Sequence, residues 1–216
     1  MKALYRYTLS TVLHSQRYVA PMVFFLALLA ILTSSDSGPL LGVYAAAAVS
    51  VLACATWLTA AVVNIEEPVG RTIVVVNAGN SRGPLAAAVA VSATFCVGMV
   101  VIGLSYPVVS GSHTVSARSV LLGAAAQLTC AAVGIGLGML CSRLVIGRPG
   151  ASVLVGLALV LGVILAKPLP PVYPMLHAMT GGHPSAGIGF VGYAAAGLLF
   201  LAAAGAATQY IAVRLD

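Results

Sequence analysis

Two adjacent carboxylates and a following arginine, Glu66-Glu67-x-x-x-Arg71, are the sharpest chemical signal in this chain. Paired acids can do acid–base work when imidazoles or a metal ion converge with them on one reacting centre. The remaining inventory for such a centre is small: four histidines and four cysteines. His113, His177 and His183 fall in segments that read as external loops, without ligand spacing, and are expected to be exposed polar residues. Cys54, Cys96, Cys130 and Cys141 all lie in apolar runs and no two have C-x-x-C spacing. They read as small hydrophobes packed between helices. No G-x-x-x-x-G-K-[ST] occurs, so the chain carries no P-loop of its own.

Spelled E-E-x-x-x-R, the acidic signal resembles the first motif of the membrane-embedded CAAX-type proteases. Those enzymes add F-x-x-x-H and H-x-x-x-N or H-x-x-x-D on later spans. Here Ser10, Val109, Tyr173 and Met179 stand four residues before the histidines, and Tyr18, Ala117, Gly181 and Gly187 four residues after. Neither companion motif is present, and the protease reading is rejected.

The elements that hold these residues are set by composition. Of 216 residues, 61% are hydrophobic and 6% charged, against about 25% charged in soluble domains. Water would meet most of such a surface, so lipid is the fitting solvent. The net charge of +6 is spread singly over ten Lys and Arg, with no basic run of the kind that binds nucleic acid. Eight Arg against two Lys, with much Ala, Gly and Val, suits a high-GC bacterium. No cleaved signal is read at the N-terminus.

Residues Met1 to Gln16 read as an amphipathic helix in the headgroup layer, with a cytoplasmic extension of the first span as the alternative. Lys2, Arg6, Ser10 and His14 fall on one face, and Leu4, Leu9, Val12 and Leu13 largely on the other. Six apolar stretches follow: Tyr18–Thr33, Leu40–Ile65, Leu85–Val109, Val115–Cys141, Ala151–Ala166 and Ala186–Val213. About 20 helical residues cross the hydrocarbon core, so the first and fifth, at 16 residues each, are short. With the N-terminus inside, Lys2, Arg6, Arg17, Arg71, Arg82, Arg143, Arg148 and Arg214 are cytoplasmic, and only Arg118 and Lys167 are outside. This positive-inside bias predicts an all-α bundle of six spans in one transmembrane domain, with both termini in the cytoplasm of an inner membrane.

Two connections stand apart. The cytoplasmic segment Glu66–Gly83 opens with two acids and a proline and ends on Gly79, Gly83 and Pro84, which predicts a short surface helix. The external segment Lys167–Ser185 carries five prolines and apolar residues, which predicts a broken, re-entrant hairpin, with a plain external loop as the alternative. Gly134, Gly138 and Ser142 form a small-x-x-x-small ridge for close helix approach, either within the chain or at a dimer face.

No Asp, Glu, Lys or Arg lies in the middle of a span. Ion-coupled transporters usually bury such groups. The deepest polar side chains are Gln127, Thr129, Thr59, Thr56 and Trp57, with Asn64 near the cytoplasmic end of its span; Trp57, Thr59, Asn64 and Gln127 are the candidates for a substrate pathway. Energy for uphill movement would have to enter from outside the bilayer, through Glu66–Gly83.

A basic amphipathic N-terminal helix, six spans, a cytoplasmic helix after the second and a proline-broken external segment before the last resemble the permease subunits of type-2 ABC exporters. The resemblance is one of layout over nearly the whole chain. It implies that Glu66, Glu67, Arg71, Thr72 and Arg82 dock a separate P-loop ATPase, which holds the ATP and Mg. It also implies a second permease chain, identical or different, and no catalysis by this chain. A membrane assembly or regulatory protein and a facilitative carrier remain open alternatives.

Overall fold

Long apolar runs in lipid have to satisfy their own backbone, and a helix does so within one segment. The structure, a computed structural model, describes residues 2–34, 40–65, 82–110, 116–142, 149–165, 171–180 and 188–215. They form eight helices: α1 Lys2–Ser15, α2 Val19–Ser34, α3 Leu40–Val63, α4 Arg82–Ser110, α5 Ala117–Leu140, α6 Pro149–Leu165, α7 Val172–Thr180 and α8 Ile188–Leu215. No strand occurs among the described residues. Four helices (α3, α4, α5 and α8) are long and apolar enough to cross a bilayer, or five if the bent pair α1 and α2 counts as one span. The chain is therefore that of a multi-pass membrane protein. At 16 and 17 residues, α2 and α6 reach about 24–26 Å.

Helices α3 and α5 make the centre. Tyr44 packs on Gly123, Leu52 to Thr56 on Gly134, and Thr56 to Ala60 on Gly138. The numbers climb together, so the two helices run parallel. Their backbones nearly touch: a Cβ on Gly134 would lie 2.7 Å from the Leu52 carbonyl oxygen, and one on Gly138 2.6 Å from that of Thr56. The small-residue ridge thus packs within the chain, against α3. Helix α8 lies parallel to α5 on its other side, with Gly197 against Thr129 and Phe200 against Gly136.

Within the proline-rich stretch before the last long helix, nine residues do form a helix, α7, which starts directly after Pro171. Pro174 sits in its first turn, where the missing N–H breaks no helical hydrogen bond. Val172, Met175 and Met179 recur on one face and are buried in a cluster with Leu40, Tyr44, Leu122, Val160 and Phe190. Helix α7 thus caps the end of the bundle at which α3, α5 and α8 begin. Protein, rather than lipid, covers its apolar face.

Candidate functional site: the basic end of the bundle

At the opposite end, α1 packs on α4, one of the two helices that bracket the acidic segment. Its packing stripe is Tyr5, Thr8, Leu9 and Val12, with Thr8 and Val12 buried. Lys2, Arg6 and His14 are exposed, as is Leu13, which the sequence placed on the apolar face. The stripe meets α4, where the Tyr5 hydroxyl hydrogen-bonds Thr94 Oγ1 at 3.0 Å. Helix α1 then stops at Gln16, whose φ of 54° is left-handed. Such a residue ends a helix and redirects the chain, and α2 leaves at 71° to α1.

The residue after this elbow reaches back to α3. Arg17 Nη1 donates a hydrogen bond to the Asn64 carbonyl oxygen at 3.3 Å. The last carbonyls of a helix carry partial negative charge, which favours a guanidinium there. The bent pair α1–α2 is therefore fastened to the end of α3 through Arg17 and to the middle of α4 through Tyr5. These are the helices between which residues 66–81 run.

Glu66, Glu67, Arg71 and Thr72 lie outside the described residues, as does the surface helix read for them. Arg82 opens α4. Of the four pathway candidates, Asn64 stands at this basic end. Thr59 is one turn deeper, fully buried, with its hydroxyl unbonded and its Cβ against Gly138. Gln127 is fully buried eleven residues before Gly138, about 16 Å farther along α5. Trp57 points outward at 48% exposure, its ring edge-on to Phe24 of α2. The fold brings Thr59 and Asn64 to one region and sets Gln127 and Trp57 apart from them.

The sequence reading missed Arg17 and Tyr5 as ties. Arg17 was legible as a topology charge, but its partner is a backbone carbonyl, which no side-chain pattern marks. The four cysteines are buried and free. Among the described residues, no three of His, Cys, Asp and Glu come together. No protein-family model matches the chain, and neither does any curated protein or solved structure.

Proposed function

We propose that this chain is the membrane-spanning permease subunit of an ATP-driven exporter of the type-2 ABC kind, with six spans and both termini in the cytoplasm. A separate P-loop ATPase docks on the acidic segment after α3, and a second permease chain completes the pathway. The observation that carries this reading is the bracing of α1 against α4 and of the elbow that follows it against α3. A segment whose two flanking helices are tied together by Arg17 and Tyr5 can pass a push to both at once. The lack of charges in mid-span supports an external energy source over an ion gradient. The parallel courses of α3, α5 and α8 support six crossings, since the short α6 must return the chain between α5 and α8.

Two measurements test this. Purified in mild detergent from its native host, the chain should bring down a P-loop ATPase in stoichiometric amount; purification without one overturns the exporter. A phosphatase reporter inserted at Asn80 or fused after Asp216 should be inactive, and one at Ser112 active. An active fusion at Asn80 would invert or break the topology.

A further inference from the structure

Helix α4 carries a proline in its interior, Pro107. Proline has no backbone N–H, and its ring crowds the carbonyl four residues back, so the Gly103 carbonyl is left without its helical donor. Both Gly103 and Pro107 are buried. Over Gly103 lies the side chain of Gln127 from α5. A Cβ at position 103 would be 2.6 Å from Gln127 Oε1 and 3.4 Å from Nε2, so the carboxamide lies directly against the glycine. Gln127 is fully buried, and neither end of its amide has a hydrogen-bond partner. One residue along α4, the Leu104 carbonyl accepts a hydrogen bond from the Tyr44 hydroxyl at 3.3 Å.

Three facts thus meet in one place: a carbonyl stripped of its donor, a carboxamide with both ends unmet, and a tyrosine hydroxyl on the neighbouring carbonyl. Buried polar groups of this kind are met by protein or by ordered water. A metal cation is a poor fit, because hard cations take six or more oxygens and usually a carboxylate. We propose that an ordered water molecule sits between α4 and α5, accepting a hydrogen bond from the Gln127 amide and donating one to the Gly103 carbonyl. Through that water, Gln127 supplies from a neighbouring helix the donor that Pro107 removes from α4.

A double-mutant cycle on the full chain in detergent tests the pairing. Gln127→Leu should lower Tm by about 2–4 °C, the scale for one hydrogen-bonded group in a chain of this size. Pro107→Ala gives the Gly103 carbonyl a helical N–H again, so Gln127→Leu in that background should leave Tm unchanged or raise it. Equal shifts in both backgrounds overturn the proposal. If Gln127→Leu alone does not fold, folding of the double variant supports the pairing and its failure to fold overturns it. The water itself is read by hydroxyl-radical footprinting, in which bound water labels buried neighbours. Tyr44, at 0% exposure, should be labelled in the native protein and spared in Gln127→Leu; a Tyr44 equally unreactive in both overturns the water.

Discussion

Gly138→Ala should lower the stability of the purified chain sharply, whereas Gly162→Ala should leave it unchanged or raise it. The added methyl at position 138 would sit 2.6 Å from both the Thr56 carbonyl oxygen and the Thr59 Cβ, and 3.1 Å from the Ala60 nitrogen. Two of these three are backbone atoms of α3, so no rotamer change relieves the clash. The helices must separate along the seam, and the close packing at Gly134 is lost with them. Overpacking of this kind costs about 1–3 kcal/mol. Alanine's better helix propensity returns at most about 1 kcal/mol. At position 162 nothing lies within 4 Å of the added methyl, so only the propensity gain remains. For a chain of this length each kcal/mol moves Tm by about 2–4 °C. Gly138→Leu should prevent folding altogether. Equal melting of Gly138→Ala and Gly162→Ala would mean that α3 and α5 do not meet at this seam.

Reversing the acidic pair, Glu66→Lys with Glu67→Lys, should abolish ATPase co-purification and substrate-stimulated hydrolysis while leaving the protein inserted and folded. A single exposed charge at a helix start contributes only about 0.3–1 kcal/mol. A large phenotype must therefore come from a partner surface, where like charges brought together cost several kcal/mol. Arg71→Glu should act in the same direction. Arg118→Glu is the matched control. It opens α5 at the far end of the bundle, where a carboxylate suits the positive end of the helix dipole. If the double reversal keeps both readouts intact in a well-folded protein, residues 66–83 do not couple ATP to transport.

Much of the helix layout was legible because lipid demands length and apolarity, and both are plain in the sequence. Each of the six apolar stretches contains a helix, with shifts of a few residues at the ends, such as α6 starting at Pro149 before the expected Ala151. What the sequence hides is which face turns inward. In water the polar face of a helix marks the outside, but in lipid both faces are apolar. So α3 and α8 read alike, with mean hydropathies of 2.0 and 1.8, yet 61% of one span and 17% of the other are buried. Trp57 illustrates the same blindness: a large aromatic in mid-helix looked internal, and it faces out beside Phe24. Helix α7 was obscured by its prolines, which forbid a long helix but permit a short one that starts after Pro171 and keeps Pro174 in its first turn. The ridge at Gly134 and Gly138 was visible from its spacing, whereas its partner helix was not.

The glycine seam also has a mechanical consequence. Side chains between two helices can change rotamer and repack, but two backbones in contact have no rotamer with which to absorb a change of separation. Helices α3 and α5 should therefore move as one beam, each 24 residues long and so about 36 Å from end to end. Arg17 grips this beam at the Asn64 end, and α7 rests on the other. A tilt of about 10° imposed at the grip would carry the far end through about 6 Å for a rod of that length. Whatever displaces one end of the pair is therefore felt beneath α7 at the other.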